Sequence, residues 1–329
     1  MGPISFIINL MNTIKNYKYY FGLLVGLFVA VLVLAGVARV GGKEAVEIEW
    51  IRQFGSSAID YNYGFGPAVD ADGNVHTTGY TYGALPGQVN AGANDVFVRK
   101  YDATGNEVWT RQFGTASLDQ GNGVSAGHSG VYVTGYTYGV FSGQTNAGNL
   151  DVFVRKYDVS GNEVWTRQFG SPAHDYNFGV FANRSGVYLA GYTAGALSGQ
   201  TNAGNYDAYV RKYNSDGNEV WTRQFGTANA DYGVGVSVDS SKVYVMGHTA
   251  GAFPGQTNAG NYDVFVRGYN AGGNEIWTRQ FGSPTYDWGF GISADSSKLY
   301  AMGYTFGALP GQTSAGSSDA FVVKFNLND

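Results

Sequence analysis

Cysteine is absent from this 329-residue chain, and charged side chains make up only 14% of it. Without a thiol, the sequence excludes disulfides, thiolate metal sites and cysteine nucleophiles. Residues 1–43 hold four of the 20 basic side chains and no acidic one, which leaves 16 basic against 25 acidic residues, a net charge of −9, for the remainder. Because this remainder is acidic, it would repel the phosphate groups of DNA or RNA. The sequence therefore predicts no nucleic-acid partner.

Residues that usually carry catalysis are also scarce. The chain has four histidines, which fall at four different places of the repeat described below: His76, His128, His174 and His248. They cannot form a ring of equivalent sites, and neither a nucleophile-elbow phrase nor a metal-ligand spacing occurs. The sequence predicts a non-catalytic protein without a cofactor. A Ser-His-Asp site assembled only by folding stays open as an alternative.

The N-terminal segment, residues 1–43, differs from the rest in one long apolar run. Residues 21–38 contain no charge and would reach about 27 Å as a helix, close to the thickness of a bilayer's hydrocarbon core. Tyr17, Tyr19 and Tyr20 precede the run, where an interfacial aromatic belt would lie. We predict a retained transmembrane anchor with the body on the extracytoplasmic side. Cleavage after Ala38, which would give a secreted protein, is the alternative.

A five-fold repeat fills residues 44–329. The phrase Trp-x-Arg-Gln-Phe-Gly marks its copies at Trp50, Trp109, Trp165, Trp221 and Trp277. Each copy has strand-like runs, which in the fourth copy lie at 234–238, 243–246, 264–267 and 275–281. No helical apolar period occurs after residue 44. Four antiparallel strands repeated at a fixed period are typical of β-propeller blades, so the sequence predicts an all-β propeller of four-stranded antiparallel blades.

The two ends of the repeat region predict how the ring closes. The last copy ends after its third strand, and residues 47–54 supply a fourth-strand run ahead of the first copy. Pairing of this N-terminal strand with the last blade would close the ring and leave no open edge. The prediction is a five-bladed β-propeller preceded by one transmembrane helix. A fragment of a larger ring, or an open array, is the alternative.

The phrases Asp-Val-Phe-Val-Arg-Lys-Tyr-Asp, Val-Trp-Thr-Arg-Gln-Phe-Gly and Val-Tyr-Val-Thr-Gly-Tyr-Thr give the chain a family resemblance. Over residues 45–329 it resembles the SBBP type of β-propeller repeat. The resemblance implies an exported or surface protein in which the repeat often serves as a scaffold. It also implies seven-bladed rings, from which the five copies depart, and it supplies no catalytic residues.

Each copy carries an aspartate five residues after the glycine that ends the fourth strand. The five are Asp60, Asp119, Asp175, Asp231 and Asp287. Their loop should open near the central channel on the face where the inner strands begin, so five carboxylates could bind a cation there. We favour the structural alternative, in which each aspartate caps backbone N–H groups of the turn between blades. The identity of any metal stays open.

The longest loop of each copy shares the phrase Gly-Gln-x-Asn-Ala-Gly, with one substitution in the last copy. Its amide side chains are Gln88, Asn90, Gln144, Asn146, Gln200, Asn202, Gln256, Asn258 and Gln312. The loops should share a face with rings on the second strands, namely Tyr80, Tyr136, Tyr192 and Tyr304, with His248 in the fourth copy. Amides beside aromatic rings suit sugars. The structural alternative, which we favour, assigns the amides to turn geometry.

These features together predict a membrane-anchored extracytoplasmic β-propeller that acts as a non-catalytic binding or protein-interaction scaffold. A multivalent carbohydrate-binding propeller, gaining by avidity over five weak sites, is the main alternative. An enzyme and a purely structural part of a surface layer are less favoured. The expected partners are a membrane, through residues 21–38, and a glycan or protein ligand at the loop face.

Overall fold

The computed structural model describes residues 47–62, 66–127, 129–239, 241–295 and 297–327. The predicted anchor at 21–38, with the cleavage point after Ala38, lies outside the described residues. Within the described ranges, no helix has the length and apolar character needed to cross a membrane. The chain divides into two compact units, Met1–Glu49 and Trp50–Asp329.

The second unit consists of antiparallel strands in five consecutive sheets, each ordered as the chain runs. The first sheet contains β1 (Asp60–Tyr61), β2 (Ala68–Val69), β3 (Val75–Thr81), β4 (Asp95–Tyr101) and β5 (Glu107–Phe113). The second contains β6 (Asp119–Gly127), β7 (Gly130–Thr137), β8 (Asp151–Tyr157) and β9 (Glu163–Phe169). The third contains β10 (Asp175–Asn183), β11 (Gly186–Thr193), β12 (Asp207–Tyr213) and β13 (Glu219–Phe225). The fourth contains β14 (Asp231–Val238), β15 (Lys242–Thr249), β16 (Asp263–Asn270) and β17 (Glu275–Phe281), and the fifth β18 (Asp287–Ala294), β19 (Lys298–Thr305) and β20 (Asp319–Asn326). The predicted all-β fold of antiparallel, mostly four-stranded sheets is confirmed.

The hairpin between the third and fourth strands of a sheet follows from one short turn. In the first sheet, Asp102 accepts hydrogen bonds through Oδ1 from the backbone N–H groups of Thr104 and Asn106, at 2.9 and 2.8 Å. Gly105 then adopts a φ of +81°, a left-handed conformation that glycine reaches without a steric penalty. A turn of this kind recurs in the second, third and fourth sheets, and it fixes the register of the outer strand.

The phrase Trp-Thr-Arg-Gln-Phe of the outer strand joins each sheet to the next. In β13, Trp221 donates through Nε1 to the carbonyl of Ala271 at 3.1 Å, and Arg223 donates through Nε to that of Gly273 at 2.7 Å. The Phe225 ring meets Phe265 edge-on at 5.6 Å in a core shared by the third and fourth sheets. The repeated phrase therefore encodes the packing between sheets, as in a repeat fold whose units complete one another's core.

The fifth sheet has three strands, and the predicted closing strand is not paired with it. Residues 50–54 belong to no sheet, and Val322 of β20 is 73% exposed. These residues do pack on the first sheet: Arg52 donates through Nε to the carbonyl of Gly105 at 2.6 Å, and the Phe54 ring meets Phe97 edge-on at 5.3 Å. The segment thus makes the contacts that an outer strand makes with the next sheet. Its pairing with β20 stays a prediction.

Candidate functional site

A β-bulge in the inner strand positions the side chains at the centre of the molecule. In β14, Gly233 pairs with Gly247 and Gly235 pairs with Met246, so Val234 has no partner across the ladder. The residues skipped in this way in β6, β10, β14 and β18 are Asn122, Phe178, Val234 and Phe290. A bulge re-aims the side chain of the extra residue. Here the pattern Asp-x-(Gly or Asn)-x-Gly encodes it.

Glycines of the inner strands surround a cavity of about 200 Å³, which we call the deep cavity. Strands of the second to fifth sheets and the segment between β1 and β2 form its wall, and its glycines are Gly66, Gly123, Gly179, Gly235 and Gly291. A Cβ atom on Gly179 would lie 2.8 Å from the carbonyl oxygen of Val234, and one on Gly235 would lie 3.1 Å from that of Phe290. The small residues are therefore needed for the inner strands to approach one another.

A second cavity of about 320 Å³ shares part of its wall with the deep cavity, and we call it the aromatic mouth. It is lined by Phe178, Tyr192, Tyr232, Val234, His248, Tyr262, Trp288 and Phe290. The rings pack closely: the centroids of Tyr192 and Tyr232 are 4.7 Å apart, and those of His248 and Trp288 are 4.5 Å apart. The aromatic mouth is thus built from the third, fourth and fifth sheets.

The wall of the aromatic mouth is electrically neutral near pH 7. His248 is only 4% exposed, and burial lowers its pKa to about 4, so the imidazole carries no charge. Its Nδ1 is buried and has no hydrogen-bond partner among the described residues. Burial also raises the pKa of the Tyr192 and Tyr232 hydroxyls, which therefore keep their protons. The mouth can offer aromatic rings and tyrosine hydroxyl groups to a ligand.

The aspartates expected at the channel lie at the junctions between sheets and line neither cavity. Asp175 accepts hydrogen bonds through Oδ2 from the backbone N–H and the hydroxyl of Ser171, at 2.7 and 3.1 Å. Corresponding caps are formed by Asp60, Asp119, Asp231 and Asp287. Among the described residues no group of three or more His, Cys, Asp or Glu could hold a metal ion. Cation binding by this set stays a prediction.

A second buried carboxylate, which sequence reasoning missed, lies beside each of the last four caps. A Cβ atom on Gly170 would lie 2.5 Å from Asp151 Oδ1 and 2.7 Å from Asp175 Oδ2, so the two side chains face each other across this glycine. The Oδ1 atoms of Asp151 and Asp175 are both buried and lack hydrogen-bond partners in the described part of the chain. Burial, and then the Asp151 charge, raise the pKa of Asp175 to about 6. The signal in the sequence was the aspartate that begins every third strand.

Asp175→Asn is expected to change how stability depends on pH. Because the pKa of Asp175 is raised from 3.8 to about 6 in the folded protein, the folded state binds the proton more tightly than the unfolded chain. Its contribution to the free energy of unfolding is full below pH 4 and is lost as pH rises through 6. The variant cannot ionise and should gain about 1–3 kcal/mol over the parent at pH 7.5, with little gain at pH 4. Urea unfolding at both pH values measures this.

Asp102→Asn provides the matched control for this measurement. Hydrogen bonds from Asn106 and Thr104 lower the pKa of Asp102 to about 2, so its replacement should cost stability at pH 7.5 instead of adding to it. Calcium that stabilises the parent but not Asp175→Asn would contradict our expectation and support cation binding at this junction.

The loop amides are bound within their own sheets. Gln144 accepts the backbone N–H of Gln168 through Oε1 at 3.0 Å, and Asn146 accepts that of Gly148 through Oδ1 at 2.8 Å. The same Gln contact recurs for Gln88, Gln200 and Gln256, and Asn90, Asn202 and Asn258 also hydrogen-bond within their loops. Gln312 lacks the contact because no fourth strand follows it among the described residues. None of these amides lines the aromatic mouth.

The predicted tyrosines are divided between the aromatic mouth and its surroundings. Tyr192 lines the mouth, and Tyr304 stacks on Trp288 with ring centroids 6.3 Å apart. Tyr136 contacts Tyr176 at 5.3 Å, whereas Tyr80 contacts Tyr61 in the first sheet at 5.2 Å. Sequence reasoning missed the other rings of the mouth, Phe178, Tyr232, Tyr262, Trp288 and Phe290. For Phe178, Tyr232, Trp288 and Phe290 the signal was the variable positions of the inner-strand pattern, whereas Tyr262 precedes the third strand β16.

The comparisons with known proteins agree with the sheet topology. The model of the SBBP β-propeller repeat matches residues 49–86 and 220–254. These segments cover parts of the first and fourth copies of the repeat. These two segments therefore match β-propeller repeats of the SBBP type, and the resemblance seen in the sequence is confirmed there.

Among curated proteins, the chain is similar to the regulatory protein FlaEY of Caulobacter vibrioides, with 27% identity over 310 residues. The match covers 78% of this chain and 32% of the relative, so the chain spans about a third of the length of that protein. Among solved structures, an α-L-arabinofuranosidase of Fusarium graminearum aligns with a TM-score of 0.40 and 12% identity, covering 82% of this chain and 97% of the other. An acylaminoacyl peptidase of Pyrococcus horikoshii aligns with a TM-score of 0.34 and 9% identity, covering 81% and 45%.

Proposed function

We propose that this chain is a non-catalytic binding module in which a ligand enters the aromatic mouth of a five-bladed β-propeller. The observation that carries the proposal is the mouth itself, a concave site at the centre of the fold, walled by rings from three sheets. Apolar pockets with a few convergent polar groups are the usual sites of small ligands. A neutral His248 with neither a carboxylate nor a nucleophile in the same wall gives no support to acid–base or covalent catalysis.

A small-ligand panel tests this role on the full chain in nanodiscs of phosphatidylglycerol, a lipid that contains neither choline nor sugar. The panel contains neutral sugars, methylated ammonium salts and short aliphatic alcohols, and binding is measured by calorimetry. We expect at least one class to bind, with a loss of tenfold or more in Trp288→Ala and no loss in Gln144→Ala. A panel in which no binding depends on Trp288 would overturn the proposal, and dependence on Gln144 instead would restore the loop amides as the site.

Carbohydrate is the second candidate ligand. The Trp288 and Tyr232 rings offer apolar faces for stacking, and the tyrosine hydroxyls are hydrogen-bond donors. A carbohydrate-binding protein with five equivalent sites has less support. The loop amides already form hydrogen bonds within their own sheets, and residues of only three sheets line the mouth. A glycan array, with and without calcium, distinguishes the two versions by whether binding depends on Trp288 or on Gln144 and its equivalents.

The five-bladed ring is itself part of the proposal, and a glutamine position supports its closure. In the first sheet, Gln112 of β5 donates through Nε2 to Gly83 and Asp95, and accepts through Oε1 from the backbone N–H of Leu85. The glutamines of β9, β13 and β17 repeat these contacts. In the first copy of the repeated phrase Trp-x-Arg-Gln-Phe-Gly, the residue that corresponds to Gln112 is Gln53.

The fifth sheet retains the groups that such a glutamine would meet. Gly307, Leu309 and Asp319 occupy the positions of Gly83, Leu85 and Asp95, and they line a cavity of about 550 Å³ beside β20. Gln312, the loop glutamine that would accept a strand N–H, lines the same cavity. The cavity therefore has the polar groups of a slot for Gln53, which supports closure by residues 50–54.

A paired substitution also supports this closure. In the first four sheets an arginine of the third strand lies opposite a threonine of the fourth, as Arg155 lies opposite Thr166. Arg155 also pairs with Glu163, Nη1 to Oε2, at 3.1 Å. In β20 the arginine is replaced by Val323, and in the first copy the threonine is replaced by Ile51. Both members have become apolar, as expected of two residues that face each other across a ladder.

We propose in addition that residues 21–38 anchor the propeller on the extracytoplasmic side of a membrane. The support is the length of the uncharged run, which matches a bilayer core. The test is fractionation of cells that express the full chain, followed by protease treatment from outside. Recovery in the membrane fraction with digestion of the propeller would support the proposal, and recovery in the medium would favour cleavage after Ala38.

A further inference from the structure

Three rings of the aromatic mouth, Tyr232, Tyr262 and Trp288, differ from the rings at the junctions between sheets in their cation contacts. At the junctions between sheets, an arginine lies over a phenylalanine ring, as Arg211 lies 3.8 Å from the centroid of Phe169. Among the described residues, no lysine or arginine lies over the rings of Tyr232, Tyr262 or Trp288. The protein thus fills its structural cation–π positions itself and leaves those of the mouth available to a ligand.

Several rings of the mouth lie close enough together for one small group in the cavity to contact more than one of them. Tyr232 lies 5.1 Å from His248 and 6.0 Å from Tyr262, and Tyr262 lies 5.7 Å from Trp288, all between ring centroids. The faces of aromatic rings carry negative quadrupole potential, strongest for tryptophan, and attract cations placed within about 6 Å. A cavity of about 320 Å³ holds a methylated ammonium group with room for its carrier chain.

Carboxylates that neighbour three of these rings in the sequence add to this preference. Asp231 precedes Tyr232, Asp263 follows Tyr262, and Asp287 precedes Trp288. All three side chains are fully buried, and the Oδ1 atom of each lacks a hydrogen-bond partner in the described ranges. No basic side chain lines the mouth to offset them. Burial raises the pKa of Asp231 and of Asp263. In their ionised form these carboxylates act over several ångströms in a low-dielectric interior, so they favour a positive group in the mouth over a neutral one of equal shape.

We infer that the aromatic mouth binds a small molecule that carries a methylated ammonium group, such as choline. The inference rests on the proposed binding role of this site and specifies the class of its ligand. A strongly hydrated primary ammonium is a poorer ligand, because the wall supplies few acceptors to replace its water. A sugar is also poorer, because its several hydroxyls would meet only the tyrosine hydroxyls and His248.

Choline and its neutral isostere 3,3-dimethyl-1-butanol provide the test, since the two differ mainly in charge. Each is titrated into the full chain in phosphatidylglycerol nanodiscs, with protein-free nanodiscs subtracted. We expect choline to bind at least tenfold more tightly than the isostere, and Trp288→Ala to lower choline affinity at least tenfold. Trp288→Phe, which keeps a ring with a weaker quadrupole and the fold, should lower it about threefold.

A control variant outside the mouth separates binding from stability. Tyr300→Ala removes a ring that is 39% exposed and lies outside the mouth, and it should leave binding unchanged. Equal affinity for choline and the isostere would overturn the inference. Trp288-dependent binding of a sugar but not of choline would also overturn it while leaving the proposed function standing, whereas the absence of all Trp288-dependent binding would overturn both.

Discussion

Gly247→Ala is expected to lower the free energy of unfolding by about 3 kcal/mol or more, one of the largest effects of any single methyl group in this chain. A Cβ atom on Gly247 would overlap the carbonyl oxygen of Tyr232 and lie 2.9 Å from the Phe265 ring. The carbonyl belongs to the backbone of the bulged strand and cannot move without disturbing the ladder. The same overlap occurs at Gly79, Gly135, Gly191 and Gly303.

Gly316→Ala is the matched control for Gly247→Ala. A Cβ atom on Gly316 would have no atom within 4 Å, and its backbone is not in the left-handed region. Its effect should stay within about 0.5 kcal/mol, or be slightly stabilising because alanine restricts the unfolded chain. Urea unfolding followed by tryptophan fluorescence measures both variants. If they were equally stable, the close approach at the bulge would be contradicted.

This glycine links the stability of the sheet to the candidate site. Gly247 pairs with Gly233 at the start of the bulge, and the next residue along β15 is His248 of the aromatic mouth. The bulge places Val234 in the wall of the same mouth. A partially folded Gly247→Ala variant should therefore lose ligand binding together with stability, whereas Trp288→Ala acts on the ligand contact.

The fold could be predicted because its signals are local and repeated. Alternating residues specify the strands, and the Trp-Thr-Arg-Gln-Phe phrase recurs wherever one sheet packs on the next. The sharing of a feature among copies was a misleading guide to ligand contacts, however. Gln144 recurs because each sheet needs a bond to the backbone of its outer strand, as to Gln168. A contact that each sheet needs for its own structure recurs in every complete sheet, so its recurrence does not identify a ligand-binding residue.

The candidate site could not be predicted in the same way, because it depends on residues that differ between copies. One position of the inner strand is Gln120 in the second sheet, Tyr232 in the fourth and Trp288 in the fifth. Only the bulge and the convergence of three sheets bring the aromatic members together. The carboxylate pair Asp151 and Asp175 was missed for a related reason, since its members belong to different sheets and meet only through tertiary packing.

The ring-closure proposal predicts that Ile51→Cys combined with Val323→Cys will form an intrachain disulfide in nearly all molecules. If residues 50–54 pair with β20 in the register of the complete sheets, these two positions lie directly opposite each other, as Arg155 lies opposite Thr166. Opposed residues of an antiparallel pair have Cα atoms about 4.5–5.5 Å apart, within the span of a disulfide. The bond would close a loop of about 270 residues and raise the free energy of unfolding by up to about 5 kcal/mol. Because the chain has no native cysteine, no other pairing competes.

The matched control is Ile51→Cys combined with Val322→Cys, since neighbouring residues of a strand point to opposite faces and this pair should stay reduced. Non-reducing electrophoresis and urea unfolding, with and without reductant, measure both variants. A disulfide-linked dimer would mean that β20 accepts residues 50–54 of a second copy, and the absence of any bond would refute the closing strand. The intrachain product is expected because residues 50–54 already pack on the first sheet, and Gly66, which lies between β1 and β2, lines the deep cavity together with Gly291 and Met302 of the fifth sheet. The first and fifth sheets thus lie within reach of each other, as the proposed pairing of residues 50–54 with β20 requires.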